Sequence, residues 1–236
     1  MKKFLLCVGA EKAGTTWLHR YFRAHTEYID LGKELNFIQR DDLVPDLEGY
    51  KEFRSNIFDF FDYVANLNVV TGDFTHYEGS TENIFRLYKD EFEKRGIEVV
   101  PVYIIRDPIR RAWSAWNMLG GGRSKLSKAP MFLVKNHLAC KYKETVQALD
   151  NVFDKPMYFF YEEFFQQENL NAICERLDIT SKEADCSKLV NEGFYKKRIP
   201  SSFIKQFGLS KKNLEAVKFI SERFDNVPWN IEDYKV

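Results

Sequence analysis

The stretch KFLLCVGAEKAGTTWLHRYF, residues 3–22, constrains the fold more than any other part of the chain. Residues 3–8 form a short, continuously apolar run, the pattern of a parallel strand buried on both faces. Gly9, four residues and Gly14 follow. Trp17, Leu18, Tyr21 and Phe22 then recur at helical spacing. Strand, glycine loop, helix is the opening unit of phosphate-binding α/β folds. The first turn of such a helix offers unpaired N–H groups and a partial positive charge, which together hold an anion. Gly14 allows close backbone approach, Thr15 and Thr16 offer hydroxyls, and Lys12 brings a full charge. A Walker A loop would place Lys and then Ser or Thr directly after the second glycine. Here Thr15 and Thr16 stand there, and the lysine sits inside the loop. Taken alone, the loop reads either as an anion site that lacks the magnesium-binding pair or as a plain strand-to-helix turn with a solvated lysine.

The pattern continues in alternation. Strands are expected at 68–73 (NVVTGD), 99–106 (VVPVYIIR) and 156–161 (PMYFFY). Helices are expected at about 80–95, 108–118, 131–149 and 162–177, with a last one from about Lys211 to Phe224. This is an α/β arrangement with a mainly parallel central sheet flanked by helices. Its 236 residues suit one domain, 1–236, and 44% hydrophobic and 16% aromatic residues supply a large core. GGGR at 120–123 reads as a loop, a candidate lid. Lys plus Arg equals Asp plus Glu at 35 each, which argues against general nucleic-acid binding but leaves room for one basic pocket.

Cys7, Cys140, Cys174 and Cys186 form no CxxC pair and read as free thiols in a reducing compartment. The MKKFLLCVGA start mimics a signal peptide but runs into Glu11 and Lys12 without a cleavage site. No apolar run reaches the length of a membrane span. The expected location is the cytoplasm.

A second motif lies in VVPVYIIRDPIRRAWSAW, residues 99–116. Arg106 ends a strand, Asp107 is a natural N-cap and Pro108 fits the first helical position. Ser114 stands two turns into that helix. A guanidinium and a hydroxyl converging at a strand end suit a second phosphate.

Together the two motifs resemble the sulfotransferases that use 3′-phosphoadenosine 5′-phosphosulfate (PAPS) and release the desulfated product PAP. EKAGTTWL is similar to that family's 5′-phosphosulfate loop, PKSGTTWL, with Glu11 and Ala13 as replacements. RDPIRRAWS is similar to its 3′-phosphate motif, with Arg106, Arg111 and Ser114 in register. YFFYEEFFQQENLNAICERLDI, residues 158–179, resembles the family's late strand and helix. The resemblance implies a P-loop-like three-layer α/β fold and sulfonyl transfer without metal. It implies donor contacts from Lys12, Ala13, Gly14, Thr15, Thr16, Arg106 and Ser114, with Lys12 also neutralising charge on the leaving group. The family's late basic loop would correspond to Lys196, Lys197 and Arg198, with Arg198 and then Lys197 reaching the 3′-phosphate. Phe194 and Tyr195 lie beside it.

The acceptor hydroxyl needs a base, and the resemblance offers two. GKELNF (32–37) is similar to the KExxFF segment of the heparan-sulfate branch and points to Glu34. DFTHYE (73–78) sits where the cytosolic branch carries a Lys-Thr-His segment and points to His76. Glu34 is preferred because its whole segment matches, and it turns the expected acceptor towards a glycan rather than another small molecule. Asn36 replaces a common His, and Phe74 stands where both branches often carry a lysine. Lys33 is a candidate substitute for that lysine. His19, His25 and His137 lie in helix-like contexts and read as structural. Two other readings remain open: a P-loop kinase or NTPase, and a non-catalytic nucleotide-binding protein of the same fold. The sequence leaves the oligomeric state open.

Overall fold

The computed structural model of the chain describes residues 1–35, 57–78, 80, 82–118, 140–187, 199 and 211–229. The strands are β1 (Lys2–Gly9), β2 (Thr71–Asp73), β3 (Ile97–Ile105) and β4 (Met157–Phe160). They form one sheet in the order β2-β1-β3-β4, and every pairing is parallel. The described helices are α1 (Thr15–Arg23), α2 (Ile57–Asn66), α3 (Glu82–Glu93), α4 (Pro108–Met118), α5 (Tyr142–Val152), α6 (Tyr161–Phe164), α7 (Gln167–Arg176) and α8 (Lys211–Arg223).

β1 is buried at every position from Phe4 to Gly9, and β3 at all but Glu98 after Ile97. Side chains alternate across a strand, so burial on consecutive residues means that both faces are covered. On the Phe4 face the cover is aromatic. Phe4 stacks on Phe92 of α3 at 4.4 Å and meets Phe60 of α2 edge-on at 6.1 Å. Phe61 packs edge-on against Phe92 at 4.8 Å and Tyr88 at 5.7 Å. Each such pair adds about 0.5–1.5 kcal/mol beyond its buried area.

The order of the strands decides where a ligand can sit. From β1 the chain passes to one side for β2 and to the other for β3. The strand ends of β1 and β3 therefore flank a crevice at a topological switch point, the usual ligand site of open parallel sheets. Both phosphate motifs leave the sheet there.

Several boundaries differ from expectation. β2 is shorter than 68–73, and Val70 makes only an isolated bridge to Tyr28. α5 starts at Tyr142 rather than 131; Cys140 and Lys141 precede it, and 131–139 lie outside the described residues. The helix expected over 162–177 is two helices, interrupted at Phe165 and Gln166. α2 was not expected at all. Cys7, Cys140 and Cys174 are buried free thiols and Cys186 is a half-buried one. Among the described residues no helix is long and apolar enough to cross a membrane.

Candidate donor and acceptor site

The loop after β1 is fixed from beneath by its own backbone. Ala10 N–H donates to Ile104 O at 2.7 Å, and Ala13 N–H to Ala10 O at 3.1 Å. Gly14 is the N-cap of α1, with φ 84° in the left-handed region, and no side chain caps the helix. The first-turn N–H groups of Thr15 and Thr16 have no intrahelical acceptor, and no acidic residue lies in that turn. A Cβ at Gly14 would lie 2.8 Å from the Phe165 ring. Glycine is needed there for backbone conformation and for space. The Phe165 ring that lies against Gly14 comes from the point where that helix is broken, 165–166.

Lys12 occupies a left-handed conformation, φ 64°, in the middle of the loop. Its Nζ rests 3.1 Å from Met118 Sδ, a weak acceptor. Among the described residues no carboxylate lies within ion-pair distance of it. Burial, together with the positive charges of Arg106 and Lys33, lowers its pKa, with Glu11 opposing. Ala13 and Thr15 are buried, while Thr16 is partly exposed.

Arg106 follows β3 and reaches across to this loop. Its Nη1 donates to Lys12 O at 2.5 Å, and its guanidinium lies 3.9 Å from the centroid of the Tyr161 ring. Its Nε is buried with no partner among the described residues. Tyr142 Oη–H donates to Arg106 O at 2.5 Å and holds the strand end. The next helix starts as expected: Asp107 Oδ1 accepts from Arg110 N–H at 2.8 Å, the N-cap bond. Glu162 Oε1 accepts from Asp107 N–H at 3.2 Å, and its other oxygen accepts from Trp229 Nε1 at 3.1 Å. Ser114 is half-buried two turns into α4. Arg111, in register with the 3′-phosphate motif, is buried in a 2.6 Å ion pair with the half-buried Glu78, and removing Glu78 would strand a buried charge at a cost of about 3–5 kcal/mol.

The two candidate bases meet beside the donor loop. His76 Nε2 lies 3.4 Å from Thr15 Oγ1, and His76 Nδ1 lies 4.0 Å from Glu34 Oε1. Glu34 is ion-paired with Lys33. Phe74 is fully buried, and its N–H donates to Lys33 O at 2.9 Å. Burial, followed by Lys33, lowers the His76 pKa from 6.5 to about 4; Arg111 acts the same way, and Glu34 and Glu11 oppose. Between pH 6.5 and about 4 the unfolded chain takes up a proton here that the folded chain refuses. Stability is therefore complete above pH 6.5 and falls through that window, by about 3 kcal/mol at most. Urea titrations of the wild type and His76→Gln at pH 7 and pH 4.5 are expected to show a smaller acid loss in the variant.

His19 and His25 are structural: His19 Nε2 pairs with Asp30 at 2.8 Å, and His25 Nδ1 bonds Tyr21 O at 3.0 Å. Lys197, Arg198, Lys196, Phe194, Tyr195, Asn36, His137 and GGGR lie outside the described residues. The motif reading missed Tyr161, Phe165 and Met118 as groups around the loop. The aromatic cluster in YFFYEEFF directly after a strand was the available signal for the first two.

Comparison with solved structures fits this geometry. The whole chain aligns with all of a sulfotransferase from Alicyclobacillus acidocaldarius, with a TM-score of 0.64 and 14% identity. The chain has the sulfotransferase fold. A sulfotransferase domain from the curacin biosynthetic pathway aligns over 94% of this chain and 98% of its own, at TM-score 0.60 and 12% identity. One from the olefin synthase of Synechococcus PCC 7002 aligns over 99% and 91%, at 0.51 and 14%. No protein-family model and no curated protein matches the sequence. Within the sulfotransferase fold, the crevice between the β1 and β3 ends is where both motifs of this chain converge.

Proposed function

We propose that the protein transfers a sulfonyl group from PAPS to an acceptor hydroxyl, with a glycan as the favoured acceptor. The observation that carries this reading is the junction of the two motifs. Arg106 ties itself to the carbonyl of Lys12 and, among the described residues, keeps a buried Nε without a partner, beside a helix N-terminus that no side chain caps. Two anionic groups joined through one nucleoside would suit two such adjoining positive sites. In this reading the α1 amides, Ala13, Gly14, Thr15, Thr16 and Lys12 receive the 5′-phosphosulfate. Arg106 and Ser114 receive the 3′-phosphate, with Lys197 and Arg198 closing over it. Glu34, or failing it His76, takes the acceptor proton.

PAP is expected to bind far more tightly than ADP, because each charge-assisted bond to the 3′-phosphate contributes about 1.5–3 kcal/mol. Calorimetry with PAP and ADP tests this, and equal affinities would sink the donor assignment. Arg106→Ala is expected to remove most of the preference.

The kinase reading needs an acidic residue free to hold magnesium beside the loop. Asp107 instead caps α4, and Thr15 stands in the place of the Walker lysine. Sulfonyl transfer is expected to proceed unchanged in EDTA. Loss of activity in chelator, with recovery on adding magnesium, would favour the kinase. A protein that binds PAP but shows no turnover with any acceptor would favour the non-catalytic reading.

A further inference from the structure

β2 ends on Asp73, whose carboxylate is completely buried. Among the described residues it has no ion-pair partner. Five neutral donors surround it instead. Oδ1 accepts from Thr75 N–H at 2.8 Å, Thr75 Oγ1–H at 2.6 Å and Leu35 N–H at 3.3 Å. Oδ2 accepts from Tyr77 Oη–H at 2.6 Å and Tyr88 Oη–H at 3.0 Å. A buried carboxylate without a counter-charge is costly, and only a full set of donors makes it tolerable. Burial raises its pKa, and the hydrogen bonds from Thr75, Tyr77 and Leu35 hold it down; the Tyr77 and Tyr88 oxygens also lie 2.7 Å apart, so their hydroxyl protons are shared between the carboxylate and each other.

The positions of these donors matter more than their number. Leu35 follows Glu34, and the residue before Glu34 is held as well, because Lys33 O accepts from Phe74 N–H at 2.9 Å. Thr75 and Tyr77 flank His76, and Tyr77 N–H donates to Val8 O at 2.9 Å at the end of β1. Both candidate bases are thus bracketed by residues fixed to Asp73, to its neighbour Phe74, or to the central strand. Neither base touches Asp73 itself.

We propose that Asp73 is a positioning residue: its buried carboxylate clamps the 33–35 and 74–77 segments together and so sets Glu34 against His76 beside the donor loop. What those two side chains do rests on the sulfotransferase reading; the clamp does not.

NMR titration of the His76 imidazole, assigned with His76→Gln, reads the clamp without any substrate. Among the described residues, the charged groups that act on His76 include Lys33, Glu34, Glu11 and Arg111, and the Thr15 hydroxyl lies 3.4 Å from its Nε2. In the wild type it is expected to titrate near 4. In Asp73→Ala the two segments part, water reaches the ring, and the midpoint rises towards 6.5. Asp73→Asn keeps a carbonyl acceptor for Leu35 and Thr75 and is expected to hold the midpoint low. The same low midpoint in a folded Asp73→Ala overturns the proposal. Should Asp73→Ala fail to fold, hydrogen exchange of the wild type decides: Leu35, Phe74 and Thr75 amides must be protected together. A Leu35 amide that exchanges freely beside a protected Thr75 also overturns it. In turnover assays Asp73→Ala is expected to lower kcat roughly tenfold or more while PAP affinity stays within about twofold. A wild type that binds no PAP would end the sulfotransferase reading, and the titration would still judge the clamp.

Discussion

Lys12→Ala is expected to lower kcat by roughly 10²–10³-fold while weakening PAPS binding far less. The expectation starts from where the charge is held. Lys12 lies within the loop, in a left-handed conformation, with its carbonyl bonded to Arg106. Its Nζ contacts only a thioether among the described residues. Burial and two nearby cations already disfavour its charge. An ammonium in that setting gains most from an anion that arrives late in the reaction. In sulfonyl transfer, negative charge builds on the oxygen bridging phosphate and sulfate as the sulfonyl group leaves. After the S–O bond breaks, that charge resides on a 5′-phosphate oxygen of PAP, so PAP affinity reports the product state and the affinity for unreacted PAPS reports the ground state. The split between kcat and PAPS affinity, measured by steady-state kinetics and by calorimetry without acceptor on one preparation, separates the two contributions. A variant that loses PAPS affinity and kcat in equal proportion would make Lys12 a plain phosphate ligand. Lys12→Arg is a useful companion, since it keeps the charge but alters its reach.

The parts of this site that a sequence can announce are those governed by local rules. The apolar run of β1, the glycine at the α1 cap and the Asp107-Pro108 helix start are each set by a few neighbouring residues. All three stand where their patterns put them. The parts that stayed hidden depend on distant partners. Nothing in YEEFFQQEN marks a helix break, since it holds neither Gly nor Pro; the break is visible only in the structure, where Asn169 Nδ2 donates to the carbonyls of Glu163 and Phe164 and the Phe165 ring lies against Gly14. α2 was missed because IFDFFDYVAN is crowded with aromatics, and only the β1 ring of Phe4 and the α3 rings show which of them are core. Arg111 sits in a motif that resembles a phosphate site, yet it is taken by Glu78, a residue 33 positions away. Asp73 offered no signal beyond an acid after an apolar strand. Its role is visible only once Leu35, Thr75, Tyr77 and Tyr88 surround it. The likeness of Lys33 to a missing lysine at position 74 stays a sequence analogy, because the hydrogen bond from Phe74 N–H to Lys33 O joins the two backbones and does not involve the ammonium.

Glu34→Gln is expected to lower kcat by about 10²-fold or more, the usual contribution of a general base, while PAP affinity stays nearly unchanged. In the proposed reading Glu34 faces the acceptor, so the donor contacts survive its loss. The acid limb of the pH–rate profile, which an ionising carboxylate produces as it takes up its proton, is expected to vanish in this variant. His76→Ala is expected to retain substantial turnover. The reason is electrostatic: burial and Lys33 bring the imidazole down to about 4, so at neutral pH it is uncharged but a poor proton acceptor. Its ring nitrogens lie near Thr15 and Glu34, which suits a spacer between donor loop and base better than the base itself. The position of the acid limb cannot decide between the two, because an imidazole titrating near 4 and an ordinary carboxylate lose activity over the same range. The variants can. An active Glu34→Gln beside a dead His76→Ala would transfer the role to His76, and the depressed imidazole would then need an acceptor hydroxyl of unusual acidity. If both variants turn over at the wild-type rate, the proton leaves by another route, and the acceptor side of the site must be sought outside the Glu34–His76 pair while the donor side at Lys12 and Arg106 stands on its own tests.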